Sequence, residues 1–212
     1  MTLRGNRPTG RAQILLFMLL LALAVAFPAA AEGAAVPKRK LVSNLGALWE
    51  KVFETEASKN PFGGDPDAVC WKLGENVIAP FGPAGAPGCV VKTGTKLFIA
   101  ASSVECSNVE GNGEDEATLR ACARAADAQT APKVTLDGRP MSVTEVETGL
   151  LRFDLPEGNV FGLPPQQALS VAHGWVALLH PLTPGKHEIT IRNEGTAPIT
   201  TTIIVRPGRK AR

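Results

Sequence analysis

The chain has 212 residues, 44% hydrophobic and 20% charged, with 22 Lys and Arg against 20 Asp and Glu. That length can bury a real core, and one domain is the default expectation. The near balance of charge excludes an electrostatic nucleic-acid binder, and three tryptophans with no tyrosine speak against the aromatic platforms of carbohydrate-binding sandwiches.

Three arginines (Arg4, Arg7, Arg11) precede an unbroken apolar run from Ile14 to Phe27, followed by Pro28-Ala29-Ala30-Ala31. A basic start, an apolar centre and a small-x-small cleavage site describe a secretory signal over residues 1–31. As a helix the run rises only ~21 Å against a hydrocarbon core of ~30 Å, so the expectation is cleavage, with no transmembrane span in the mature form. Cleavage also removes three of the positive charges. The reading continues with a linker over 32–41, one domain over 42–205, and a basic disordered tail over 206–212.

Cys70, Cys89, Cys106 and Cys122 are an even set in a chain bound for an oxidising compartment, which favours two disulfides. Three pairings are open. The least entangled joins Cys70 to Cys89 and Cys106 to Cys122, each closing a short loop worth ~3 kcal/mol in the loop-entropy account. A four-cysteine metal site or a redox pair would need C-x-x-C spacings that are missing.

From Ser43 to Ser58 the spacing of Leu45, Leu48, Trp49, Val52 and Phe53 predicts an amphipathic helix whose stripe the body of the domain would cover. The Gly- and Pro-rich stretch 60–94 predicts loops carrying short strands at Val77-Ile78 and Val90-Val91. Lys96 to Ala101 reads as a strand buried on two faces. Glu114 to Gln129, acid-first and Ala-rich, reads as a second helix tied by Cys122 to the strand ending near Cys106. Strands follow at Lys133–Leu136, Met141–Glu147, Leu150–Phe153, Val171–Leu179, Lys186–Ile191 and Ile199–Val205, with an Asp137-Gly138 turn after the first. The fold class is therefore mainly β: an antiparallel β-sandwich, jelly-roll or immunoglobulin-like, with an N-terminal amphipathic helix, one further helix and two disulfides.

Chemistry is sparse. No G-x-S-x-G elbow is present, and Ser170 and His173, three apart on a strand, face opposite sides. His173, His180 and His187 recur every seventh residue without a carboxylate or cysteine at ligand spacing, so each reads as a satisfied histidine. Glu110, Asn112, Glu114, Asp115 and Glu116 are dense in calcium-type oxygens but lack EF-hand order; a solvated acidic loop entering a helix explains them. Asp65 and Asp67 are turn residues with a weaker claim of the same kind. Trp49 and Trp175 fit a core, while Trp71 beside Cys70 is the one aromatic that a ligand face would use.

Three passages carry a resemblance: Trp49 followed by Asn60-Pro61 and Cys70; Cys89 followed by Gly94-Thr95-Lys96-Leu97-Phe98 and Glu105-Cys106-Ser107; and Trp175 to Leu179 leading into Pro181-Leu182-Thr183-Pro184-Gly185-Lys186-His187-Glu188-Ile189. The chain resembles a group of functionally uncharacterised bacterial secreted proteins with a β-sandwich body. That resemblance implies the fold, an extracytoplasmic place and the disulfide pairing, and it supplies no reaction. The expectation is a secreted or periplasmic, non-catalytic binding or structural module for an unknown envelope or extracellular ligand, with no catalytic residue, metal or cofactor assigned. The alternative is a secreted hydrolase or lyase whose site is assembled from distant loops.

Overall fold

Leu41, Leu45, Leu48, Trp49, Val52 and Phe53 recur at the spacing of one helical face. In the computed structural model, which describes residues 36–63, 69–81, 87–128 and 131–208, they are the buried stripe of helix α1, Lys38–Phe53. The segment expected as a secretory signal, Asp65, Asp67 and residues 209–212 lie outside the described residues. The helix starts at Lys38, not Ser43, and ends at Phe53, not Ser58, so the expected linker runs into its first turn. Sequence misleads there because Lys38, Arg39 and Lys40 oppose the positive end of the helix dipole and Pro37 offers no side-chain cap. Burial of Leu41 and Leu45 outweighs both. At the other end the wholly buried Asn60 donates from Nδ2 to the Val52 carbonyl at 2.7 Å, pairing a group that the helix terminus leaves open.

The strands are β1 (Cys70–Gly74), β2 (Val77–Pro80), β3 (Cys89–Lys92), β4 (Lys96–Ser107), β5 (Lys133–Leu136), β6 (Arg139–Met141), β7 (Thr144–Glu147), β8 (Leu151–Leu155), β9 (Gln166–Leu179), β10 (Gly185–Arg192) and β11 (Ile199–Arg206), with helix α2 (Glu116–Ala126) between β4 and β5. They form two sheets. The first runs β1-β2-β4-β9, with β7 and β8 lying in turn along the far side of β9; the second runs β3-β11-β10-β5-β6.

Pairing is antiparallel except at two places, which corrects the wholly antiparallel expectation: β2 with β4 and β3 with β11 are parallel. After β2 the chain leaves the first sheet to form β3 on the edge of the second, then returns as β4 beside β2 in the same direction, and a strand that returns after such a crossover pairs in parallel. The stretch Met141–Glu147, expected as one strand, splits for a related reason. Arg139-Pro140-Met141 closes the edge of the second sheet, where a proline is tolerated, and Thr144–Glu147 joins the first.

Three apolar clusters result. One lies under α1 and takes Phe98, Val146, Phe153, Ala168, Ala172 and Val176 from the first sheet. A second combines Leu97, Ile99, Ala101 and Ala177 of the first sheet with Val91, Val134, Ile189, Ile203 and Val205 of the second. The third is small: Leu119 and Ala123 of α2 against Cys106 and Val171. Val176 and Leu178 point to the first cluster while Ala177 and Leu179 point to the second, so this strand is covered on both faces.

Both disulfides form in the least entangled pairing. Cys70–Cys89, Cα atoms 5.1 Å apart, fastens the edge strand β1 of one sheet to the edge strand β3 of the other. Cys106–Cys122, at 6.0 Å, fastens the end of β4 to α2. Arg206, expected to open a disordered tail, instead pairs with Lys92 as the last residue of β11, and the Gly208 N–H donates to Thr93 Oγ1 at 2.9 Å. Among the described residues no helix is long and apolar enough to cross a membrane.

Candidate functional site

Along β9 the odd residues face away from α1. Val171 packs under α2 and Ala177 under the second sheet, and between them come His173 and Trp175. A register shift in β4 between Ala100 and Ser102 brings a hydroxyl to this side. Before the shift odd residues of β4 (Leu97, Ile99) face the second sheet; after it Ser102 stands opposite Trp175 and Val104 opposite His173, so even residues take over. An extra residue in one strand has this effect because the side-chain period is two.

Ser102 donates from Oγ to Asp127 Oδ1 at 2.8 Å. Asp127 follows the last turn of α2, its N–H donating to the Ala123 carbonyl at 3.1 Å, and its side chain has no solvent exposure. Its second oxygen, Oδ2, lies 2.9 Å from His173 Nδ1. The imidazole is 8% exposed and reaches Glu145 Oε1 from Nε2 at 3.2 Å, and that carboxylate is 55% exposed. Four elements thus contribute to one chain of polar groups, β4, α2, β9 and β7. It opens into a cleft of about 620 Å³ whose lining also includes Lys38, Arg124 and Glu147.

Glu147 stands opposite His173 in register and ties the cleft to α2. Arg124 Nε donates to its Oε2 at 2.6 Å, and Arg120 donates to its Oε1 and to Glu116. Desolvation works against the charged Glu147, yet the hydrogen bonds from Arg124 and Arg120 outweigh it and hold its pKa below the usual 4.5. Trp175, expected in the core, belongs to none of the three apolar clusters, and its indole Nε1 is buried without a hydrogen-bond partner. A lone apolar letter in a strand does not reveal that its neighbour across the pair is a glutamate, here Glu145.

Trp49 does belong to the core, and its Nε1 donates to Ser103 Oγ at 2.8 Å, which in turn donates to the His173 carbonyl at 3.0 Å. Gly174 permits this arrangement: a Cβ there would stand 2.6 Å from the Ser102 carbonyl oxygen and 2.9 Å from Ser103 Cβ. Trp71, considered above for a ligand face, is 5% exposed, packs edge-on to Phe81 at 5.9 Å and carries Lys51 Nζ at 5.5 Å over its ring. It is a core residue, closed off by the helix laid over it.

Ser170 and His173 face opposite sides, as their spacing predicts. Ser170 donates to Glu105 Oε2 at 2.5 Å, and Ser107 donates to Glu110 Oε2 at 2.8 Å, forming a polar cluster on the α1 side of the sheet. Burial, then the hydrogen bond with Glu110, push the Glu105 carboxyl up to about 8. The acidic loop divides its groups among separate tasks. Glu110 also accepts from Asn112 at 3.3 Å, Asp115 caps α2 by accepting from Ala117 N, Thr118 N and Thr118 Oγ1, and Glu116 pairs with Arg120. Among the described residues no three His, Cys, Asp or Glu side chains converge as metal ligands would.

The three histidines have three fates. His180 is exposed, His187 meets Asp137, and His173 meets Asp127 and Glu145. The carboxylates that sequence spacing failed to supply arrive from other elements, 46 and 50 positions away. No family model matches the chain, and no curated protein matches it.

Proposed function

We propose that the chain is an exported β-sandwich module, of the jelly-roll or immunoglobulin-like kind, that binds an envelope or extracellular ligand without catalysis, through the cleft at His173, Glu145 and Arg124. The likeness to secreted β-sandwich proteins, the signal-like start, the two disulfides and the apolar layer shared by the two sheets support the first half of that reading. One observation carries the second half. The imidazole held by the buried Asp127 sits at the wall of a solvent-open cleft with Glu145, Glu147 and Arg124 around it, and a concavity where a few polar groups converge is the usual setting of a ligand site. Both ring nitrogens already face carboxylates, and among the described residues the cleft lining holds no hydroxyl or thiol to act as nucleophile.

Amide spectra of the isotope-labelled chain beginning at Glu32, titrated with a library of small polar fragments and envelope glycans, test the reading. Shifts clustered at His173, Glu145, Glu147 and Arg124 are the expected result. Shifts clustered elsewhere, or none across the library, overturn it. Export is checked by intact mass from the secreting host: a chain starting at Glu32 with no free thiol is expected.

A second reading, a secreted hydrolase or lyase, is favoured by one feature alone. A wholly buried aspartate orients an imidazole whose other nitrogen reaches the cleft, the arrangement of a general base. It predicts turnover of an ester, glycoside or phosphodiester probe that His173→Ala abolishes. Activity unaffected by that substitution would remove it.

A further inference from the structure

The chain passes from the first sheet to the second over residues 180–184, between β9 and β10. His187, early in β10, lies under this crossover and is bonded at both ring nitrogens. Nδ1 is 2.7 Å from Asp137 Oδ2 and Nε2 is 2.9 Å from the Thr183 carbonyl oxygen. A carbonyl and an ionised carboxylate only accept, so both bonds exist together only when both nitrogens carry protons. Asp137 is fixed in turn: its Oδ1 accepts from Glu188 N at 2.8 Å, its N–H donates to the Glu188 carbonyl at 2.8 Å, and its φ of 51° belongs to the Asp137-Gly138 turn between β5 and β6.

We infer that His187 is a pH-operated clamp, holding the sheet-to-sheet crossover against the β5–β6 turn when its ring is protonated and releasing Thr183 when it is neutral. The neutral ring keeps one N–H, and the carboxylate claims it, so the carbonyl bond is the one lost. Charged neighbours reinforce the closed state. Asp137 and then the Thr183 carbonyl raise the pKa of His187 above 6.5, and the same imidazole lowers that of Asp137, on which Arg139 acts in the same direction. Lys186 and Glu188 are bonded to each other at 2.7 Å on the opposite face of β10, and β11 presents Ile203 across the pair. The clamp therefore holds fully below pH 6.5 and is lost as pH rises through the elevated value. Its consequence is local: the crossover carries His180, one wall of an apolar groove of about 240 Å³ that Leu178, Leu179 and Pro37 also line.

Ring and amide resonances of the intact mature chain, followed from pH 5 to pH 9, provide the test. His187 is expected to titrate above 6.5, with the amides of Leu182, Thr183 and Gly185 moving at the midpoint of His187. In Asp137→Asn, a substitution the left-handed turn tolerates, both midpoints fall together toward 6.5. A His187 midpoint at or below 6.5, or crossover amides that move at another midpoint or not at all, overturns the clamp.

Discussion

The two faces of β9 differ in how they are closed. On the even side Ala168, Ala172 and Val176 share one apolar cluster with Leu45, Leu48, Trp49, Val52 and Phe53 of α1. On the odd side two separate covers divide the work, the second sheet over Ala177 and α2 over Val171. His173 and Trp175 fall between the two apolar clusters beneath those covers, and there His173 is closed by Asp127 and Glu145 instead of by apolar side chains. A sheet face closed by one long element is uniform; a face closed by two leaves a seam, and in this chain the seam holds the candidate site.

The largest effect should come from the uniform face. Phe53 is 1% exposed and meets Phe153 at 4.4 Å and Phe161 at 5.0 Å between ring centroids, so Phe53→Ala should cost ~3–5 kcal/mol in urea unfolding. A loss below ~1 kcal/mol would mean that α1 is not needed to close the sheet. Next comes the staple of the divided face. Replacing Cys106 and Cys122 together by alanine should lower stability by ~2–4 kcal/mol and, because α2 carries Asp127, should also broaden the His173 resonances. Loss of stability with His173 unchanged would show that α2 is positioned without the disulfide.

Asp127 and Glu145 then separate the inner from the outer end of the polar chain. Asp127→Ala leaves Ser102 Oγ and His173 Nδ1 without an acceptor they both use, a cost of ~1–3 kcal/mol. Glu145→Gln, at a half-exposed side chain, should change stability by less than ~0.5 kcal/mol while altering fragment shifts in the cleft. Equal costs for the two would mean that Glu145 is structural and takes no part in recognition.

Much of the scaffold was legible in the sequence because it rests on periodicity and parity. The stripe from Leu45 to Phe53, read as a helix face, and the run Lys96 to Ala101, read as a strand buried on two faces, are local patterns, and each appears with its expected burial. What stayed hidden depends on which strands become neighbours. The Asp127–His173–Glu145 chain joins positions far apart in sequence, and Ser102 reaches it only through a register shift that no local motif announces. The disulfide pairing was readable to the extent that short loops are easier to close, whereas the bridge from β1 to β3 says nothing in sequence about joining two sheets.

Glu105 is where the even face stops being uniform, and it gives a prediction confined to one range of pH. Past the reach of Trp49, the face carries Glu105, Ser107 and Ser170 in place of apolar side chains. With its carboxyl raised from 4.5 to about 8 by burial and by Glu110, the folded chain keeps a proton there that the unfolded chain has lost. Stability from this group is therefore fully present below pH 4.5 and declines as pH rises toward 8. Glu105→Gln, which keeps an acceptor for Ser170 and cannot ionise, should leave urea midpoints near pH 4 almost unchanged and flatten their fall between pH 5 and pH 8. If wild type and variant fall in parallel over that range, the proton sits elsewhere, and the even face owes its polar end to solvent that reaches Glu105 freely.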